Sequence, residues 1–325
     1  MTRLPFIATL TAATALLAGC GGAPEPAEET AAQPEAAASA PVALPETITA
    51  ERGGFIPEGV EFDTAGGRLL TGSLAEGSIF QLHEDGRVTA VVTDAELVSS
   101  VGIEADEPRN RLLVANSDRS VFQGGGRGHA KLGVYDLASG ARLAMVDLGA
   151  TLTNAPADTV HFANDVAVAD DGTAYVTDTR AGVVYRVTPD FQASVLSRFD
   201  AIDGFAPNGI VYHPSGYLLV ASGGSLWKVQ LDDAATATQV TLPEEIPGQD
   251  GMVWRPDGAL AIVSNSGNRV VALTSADDWA TASVAGVATY DTQATTAAVV
   301  GDDIYVVHPH FADADPPSVQ RVTFQ

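Results

Sequence analysis

Four polar residues share one spacing to a downstream glycine, which makes them candidates for a common site. In each case the glycine is the eighth residue after the polar one, and a short apolar segment follows it. The four pairs are Glu58 with Gly66, Asn164 with Gly172, Asn208 with Gly216, and Asp250 with Gly258. Their oxygen donors suit Ca²⁺ best and Mg²⁺ or Mn²⁺ less well, and Zn²⁺ remains an alternative although it favours His and Cys. A cation would also offset repulsion between the two carboxylates.

Each of these residues, taken alone, has a simpler explanation. Asn and Asp beside glycine are common turn residues, so turn formation would account for any single pair. The metal-site interpretation therefore depends on the four residues occupying equivalent positions of a repeat.

The distances between the candidate residues indicate such a repeat. Asn208 follows Asn164 by 44 residues and Asp250 follows Asn208 by 42 residues, and periods of roughly 40 to 50 residues are typical of propeller blades. Two further copies, near Val101 and Thr295, are interpreted as lacking a ligand. Six copies predict an all-β fold, a six-bladed β-propeller of four-stranded antiparallel blades. Equivalent positions of the blades face the central channel, so the four side chains are expected to converge there.

The last blade lacks an outer strand in the sequence, because the chain ends at Gln325 just after a third strand. An unpaired edge and an open ring would both be costly. We therefore predict that Thr47-Ile48-Thr49 supplies this strand and that the propeller spans residues 46–325.

The N-terminal segment has the features of an export signal. Arg3 precedes a short apolar run that ends in Leu17-Ala18-Gly19-Cys20, and the run is too short to span a bilayer. This ending resembles the bacterial lipobox, which implies a signal peptide over residues 1–19 and lipidation of Cys20, the only cysteine. A leftover free thiol is the alternative. Residues 20–45, rich in Ala, Pro and Glu, are expected to form a disordered tether.

The lipobox and the charge together define the expected surroundings. The formal net charge is −24, which disfavours nucleic acid and anionic membrane surfaces as partners. The membrane is expected to be contacted only through the lipid, and the protein to be a monomer. Because Gly21, not Asp, follows Cys20, we expect a periplasmic protein anchored in the outer membrane.

The candidate positions resemble the motifs of the senescence-marker-protein and gluconolactonase family of six-bladed propellers. The matching segments are Pro57-Glu58-Gly59-Val60, Phe162-Ala163-Asn164-Asp165, Pro207-Asn208-Gly209-Ile210 and Asp250-Gly251-Met252. The resemblance implies a divalent ion held by Glu58, Asn208 and Asp250, with Asn164 at the metal or on the substrate. It also implies a small-molecule lactone or ester as substrate. Asp250 is the candidate to accept a proton or attack, with Glu58 behind it.

One departure from the family pattern concerns the substrate. In sugar-lactone members an arginine lies two positions before the asparagine of the third motif, and here that position is Phe162. An apolar ring cannot replace five N–H donors, so we expect a less polar lactone or ester. His161 is close enough in sequence to line the pocket, either as a proton shuttle or in a hydrogen-bonded structural role.

Two functions from different classes follow from these patterns. The first is a metal-dependent lactonase or esterase, since no Gly-x-Ser-x-Gly motif supports serine chemistry. The second is a non-catalytic propeller that uses the ion as a structural plug and binds a partner in the cell envelope. The glycine-rich segment 124–129 lacks the ending of a phosphate loop and is interpreted as a linker or a lid.

Overall fold

The computed structural model describes residues 43–199, 206–231, 236–311 and 315–325. The signal peptide, Cys20 and the tether as far as residue 42 lie outside these ranges. Within them, no helix is both long and apolar enough to cross a membrane.

The described residues form six four-stranded antiparallel sheets, which are the six blades of a β-propeller. The prediction of six blades is confirmed. Blade one contains β2 (Val60–Asp63), β3 (Arg68–Thr71), β4 (Ile79–Leu82) and β5 (Val88–Val92). Blade two contains β6 (Ser99–Asp106), β7 (Arg111–Ser117), β8 (Lys131–Asp136) and β9 (Arg142–Asp147). Blade three contains β10 (Ala163–Val168), β11 (Ala174–Asp178), β12 (Val183–Val187) and β13 (Ala193–Arg198).

The second half of the ring repeats this arrangement. Blade four contains β14 (Pro207–His213), β15 (Tyr217–Ser222), β16 (Ser225–Gln230) and β17 (Ala237–Val240). Blade five contains β18 (Gln249–Trp254), β19 (Leu260–Ser264), β20 (Arg269–Thr274) and β21 (Ser283–Thr289). Blade six contains β22 (Ala297–Val300), β23 (Asp303–His308), β24 (Ser318–Arg321) and β1 (Thr47–Thr49). Short 3₁₀ helices occur at Glu107–Arg109, Arg119–Gln123 and Gly149–Thr151.

The hydrophobic core lies between the blades. Each of six clusters of buried side chains draws on two neighbouring blades, including one between blades six and one. Strands such as β15 and β19 are buried along their whole length, so they are continuously apolar rather than alternating. Because these strands are buried on both faces, the second strand of each repeat is an uninterrupted apolar segment that is easily recognised in the sequence.

The sixth blade is completed by β1, as predicted. Ile48 pairs with Val319 of β24 and is almost fully buried. Next to this pairing the Ala50 N–H donates to the Pro317 carbonyl at 2.9 Å, and the Tyr305 hydroxyl donates to the Leu44 carbonyl at 2.9 Å. The ring is therefore closed by a strand from the beginning of the folded region.

Candidate functional site

The innermost strands are irregular at the candidate positions. In β10, β14 and β18 the antiparallel register shifts between residues 163 and 166, 207 and 210, and 249 and 252. These intervals contain Asn164, Asn208 and Asp250, and a fourth shift in β6 contains Val101. A β-bulge bends the strand and re-aims a side chain. The bulges thus present the polar residues at one end of the channel.

Close packing around the axis explains why glycine follows the candidate ligands. A Cβ at Gly209 would overlap the Asp250 carbonyl oxygen, and one at Gly251 would overlap the Thr296 side chain. The backbones of neighbouring blades approach too closely for a side chain at these positions. Glycine is therefore required here by packing as well as by turn formation.

The structure brings the four predicted residues together. Glu58, Asn164 and Asp250 are each more than nine-tenths buried. Asn208 donates a side-chain hydrogen bond to the Asp250 carboxylate. Asn164 donates from Nδ2 to the Thr179 hydroxyl at 2.8 Å, and this hydroxyl donates to the Pro207 carbonyl at 2.6 Å. Asn164 is in this way connected to the strand that carries Asn208.

Burial and like charge raise the pKa values of both carboxyl groups. For Glu58, desolvation has the largest effect and the negative charges of Asp250 and Asp165 add to it, so its pKa lies well above the ordinary value. Desolvation followed by the charge of Asp165 raises the pKa of Asp250 to about 8, against hydrogen bonds from Asn208 and the Gly251 N–H. A nearby cation would reverse both shifts.

The residues fit a divalent cation by their chemistry. The Asn208 Oδ1 atom is buried and accepts no hydrogen bond, whereas the Nδ2 side of the same amide is used by Asp250. An unsatisfied buried oxygen beside two buried carboxylates is a costly arrangement that a hard cation would stabilise. Among the described residues there is no cluster of three or more His, Cys, Asp or Glu side chains with metal-binding geometry. The candidate set has only two carboxylates, and amides supply the remainder.

Three further acidic residues lie along the channel and were missed by the sequence analysis. Asp165, Glu61 and Glu104 line a cavity of about 320 Å³ together with apolar residues of all six innermost strands. None of the four predicted ligands lines this cavity, which lies toward the opposite end of the channel. Asp165 electrostatically influences Glu58 and Asp250 as well as Glu61 and Glu104, so it lies between the two groups.

The ionisation of these three residues is also shifted. Desolvation raises the pKa of Asp165 to about 7 although its carboxylate accepts hydrogen bonds from the Val166 and Ile210 N–H groups. Burial raises the pKa of Glu61 to about 8 and that of Glu104 well above its ordinary value. The sequence signal was available for Asp165, because it occupies the position that is glycine in the other motifs.

The two remaining predicted residues do not line the channel cavity. Phe162 is 4% exposed and belongs to the core between blades two and three. The exposed aromatic ring at this place is Phe122, 58% exposed, which contacts Phe162 edge to face at 4.7 Å between centroids. His161 lies beside a different cleft, at the outer side of the same blade interface. Their assignment to substrate binding stays a prediction.

Comparison with known proteins gives the fold but no family match. No protein-family model matches the chain, and no curated protein sequence does so. Among solved structures, Mala s 1, the major allergen of Malassezia sympodialis, has a TM-score of 0.68 at 17% identity and covers 86% of this chain and 97% of its own. A calcium-binding regucalcin from Agrobacterium tumefaciens has a TM-score of 0.61 at 18% identity, covering 86% and 94%.

A luciferin-regenerating enzyme is similar at a TM-score of 0.60 and 14% identity, covering 87% of this chain and 95% of its own. Members of the family that the motifs resemble are thus among the structural neighbours. The protein shares their six-bladed propeller fold, and these neighbours include a calcium-binding protein and an enzyme.

Proposed function

We propose that the protein is a divalent-metal-dependent hydrolase that opens a lactone or a related ester at the end of the channel formed by Glu58, Asn164, Asn208 and Asp250. The observation that supports it most is the pair of buried carboxyl groups beside the unsatisfied Asn208 Oδ1. Regucalcin, a calcium-binding protein with the same fold, supports Ca²⁺ as the first ion to test.

The proposed ligands are Glu58, Asn208 and Asp250, with Asn164 at the ion or on the substrate. When bound, the ion supplies Lewis-acid polarisation of a carbonyl and a lower pKa for water. Asp250 is the proposed proton acceptor or nucleophile, since its carboxyl group is buried at the site beside the Asn208 side chain. Glu58 is the second carboxylate available to hold a proton. Such general-base assistance contributes roughly 10²–10⁴-fold.

The aromatic pair of Phe122 and Phe162 supports a substrate of low polarity, since Phe162 is two residues before Asn164 in the sequence. Phe122 is exposed above the buried Phe162 ring, and the Arg180 guanidinium lies 5.8 Å from the centroid of Phe122. An aromatic surface of this kind can bind an alkyl or aryl group. We therefore propose an alkyl- or aryl-substituted lactone or ester in preference to a sugar lactone.

The proposal is tested with the purified protein on lactones and aryl esters, with Ca²⁺, Mn²⁺ or Zn²⁺ added after treatment with chelator. We expect turnover that requires one of these ions. The control variant is Asp302→Asn, which changes the same type of residue as Asp250 but in an exposed turn. It should keep full activity. Metal content of the protein as purified is measured in parallel. Bound metal without turnover of any substrate would contradict the hydrolase and support the non-catalytic plug.

We also propose that Cys20 anchors the protein in the cell envelope through a lipid. Metabolic labelling with a radioactive fatty acid should label the wild type and not Cys20→Ser. Fractionation should find the wild type with the outer membrane and the variant in the soluble periplasm. Label retained by Cys20→Ser would contradict the anchor.

A further inference from the structure

His161 and Asp178 form a rigid pair outside the channel. Asp178 is completely buried, and its carboxylate accepts four hydrogen bonds. The donors are the Phe162 N–H at 2.8 Å, the Ala181 N–H at 3.0 Å, the Tyr185 hydroxyl at 3.1 Å and the His161 Nδ1 at 2.7 Å. These four hydrogen bonds fix the position of the carboxylate.

The pair determines which nitrogen of His161 is available. With Nδ1 donating to the Asp178 carboxylate, Nε2 is the ring nitrogen that can accept a hydrogen bond from a ligand. A Cβ built on Gly149 would lie 3.5 Å from His161 Nε2 and 3.7 Å from Asp147 Oδ1. Gly149, Asp147 and His161 all line one cleft of about 390 Å³, so the basic nitrogen lies at this cleft.

The insertion between β7 and β8, residues 118–130, contains the glycine-rich segment 124–129 and forms a wall of the cleft. Its helical turn Arg119–Gln123 is capped by Asp118, which accepts a hydrogen bond from the Ser120 N–H at 2.9 Å. The Arg127 carbonyl accepts a hydrogen bond from the His161 N–H at 2.9 Å. This bond joins the insertion to the segment just before β10, where His161 lies. Segment 124–129, which the sequence analysis interpreted as a linker or a lid, therefore belongs to the wall of a cleft.

The lining has a charged side and an apolar side. Arg127 and His129 come from the insertion, and Asp147 is the acidic residue of the lining, near His161. Arg127 takes part in no ion pair among the described residues, so its guanidinium is the group available for an anion. Leu152, Ala155 and Pro156 form an apolar wall. A guanidinium presents donors in the geometry of a carboxylate, and the His161 Nε2 can accept a hydrogen bond from a hydroxyl.

We infer that this cleft is a second ligand site, for a small carboxylic acid that also carries a hydroxyl group. Arg127 binds the carboxylate, His161 Nε2 accepts the hydrogen bond of the hydroxyl, and the apolar wall contacts the carbon chain. The cleft shares no lining residue with the channel cavity, and the inference does not depend on the hydrolase proposal.

The site is tested by NMR on the full folded protein with ¹⁵N-labelled histidine. Three probes of similar size are titrated: 3-hydroxybutyrate, butyrate, which lacks the hydroxyl, and 1,3-butanediol, which lacks the carboxylate. We expect the His161 Nε2 resonance to move with 3-hydroxybutyrate and the other two probes to bind at least about tenfold more weakly, since each lacks one hydrogen-bonding group. Equal affinity for the three probes, or an unmoved His161 resonance, would overturn the inference.

Two substitutions distinguish the site from non-specific binding. Arg127→Gln should weaken the binding of 3-hydroxybutyrate at least about tenfold, because the charged hydrogen bonds to the carboxylate are lost. Its melting temperature should be unchanged, because Arg127 is exposed. Arg119→Gln, in the same insertion but outside the lining, is the control and should bind like the wild type. Equal loss in both variants would show general charge attraction and contradict the assignment of Arg127.

Discussion

The two ends of the central channel both carry acidic groups with raised pKa values, yet they are built differently. At one end Glu58 and Asp250 lie with two amides, and the Asn208 side chain is close enough to Asp250 to lower its pKa. At the other end Glu61 and Glu104 line a cavity with mainly apolar neighbours. Burial raises the pKa of the acids at both ends, so a shifted pKa does not by itself indicate a site. Only the first end combines carboxylates with side-chain amides among the described residues.

The largest difference between the ends is expected in catalysis. Asp250→Asn should reduce turnover of a responsive ester by roughly 10²–10⁴-fold, because it removes the proposed proton acceptor while keeping the side-chain size. Glu104→Gln, at the opposite end, should keep its kcat within about twofold of the wild type, since it is remote from the reacting groups. Steady-state kinetics under saturating metal measures both. Similar losses in the two variants would remove the functional distinction between the ends.

Metal-linked stability should show the next largest difference. A ligand at 100 times its Kd stabilises the folded state by about 2.7 kcal/mol, which corresponds to a rise in Tm of roughly 5–10 °C for a domain of this size. Calorimetry should find this rise on adding Ca²⁺ to the wild type and to Glu104→Gln. In Asn208→Ala most of this rise in Tm should be lost, because the substitution removes the proposed Oδ1 ligand. An undiminished rise in Asn208→Ala would place the ion elsewhere.

The bulged end should also be less tolerant of added volume. Gly209→Ala would place a methyl group against the Asp250 carbonyl, and overpacking of this kind costs about 1–3 kcal/mol. Thermal unfolding should show a Tm several degrees lower. Gly53→Ala is the matched control, since its Cβ would meet no atom closer than 4.0 Å. A Tm for Gly209→Ala equal to that of the control would show that the neighbouring backbones can separate without cost.

The smallest expected effect is a dependence of stability on pH at the opposite end. Desolvation is the main cause that raises the pKa of Glu61 to about 8, against the hydrogen bond from the Phe62 N–H. Since the folded state binds this proton more tightly, its stabilising contribution is complete below pH 4.5 and is lost as pH rises toward 8.

Glu61→Gln should therefore have a higher Tm than the wild type at pH 8.5 and no advantage at pH 4.5, measured in chelator. Glu84→Gln, at an exposed position, controls for the change in net charge. An advantage of Glu61→Gln that is the same at both pH values would argue that packing, not ionisation, is responsible.

The sequence was sufficient to predict the repeat and to place four polar residues at equivalent blade positions, because every blade packs against its neighbours in the same way. Their role as metal ligands stays a prediction. The register was visible from the turn glycines Gly172, Gly216 and Gly258, each eight residues after a polar position. A second rule, glycine directly after the polar residue, holds at Gly209 and Gly251 because backbones meet there near the axis. Asp165 was missed because it breaks that rule, so it was interpreted as part of a motif and not as a charge in the channel. Glu61 and Glu104 were missed because their common surroundings come from six strands that are distant in sequence.

For His161 and Phe162 the sequence predicted a position near the site but not the surroundings of the side chains. Both follow a long insertion into blade two, and their sequence distance from Asn164 does not determine which way they face. The insertion covers Phe162, exposes Phe122 in its place and forms a cleft around His161. Sequence position placed them near the site, but tertiary contacts with the insertion decided their surroundings.

The pairing of β1 with β24 has a consequence for how the protein folds. The contact between Ile48 and Val319 joins residues from opposite ends of the folded region, and contacts of such high sequence separation are entropically costly and slow to form. During synthesis β1 has no partner strand until β24, Ser318–Arg321, has left the ribosome. Ring closure is therefore a late step that acts as a check on completion, because a chain truncated before β24 leaves Ile48 without its partner strand.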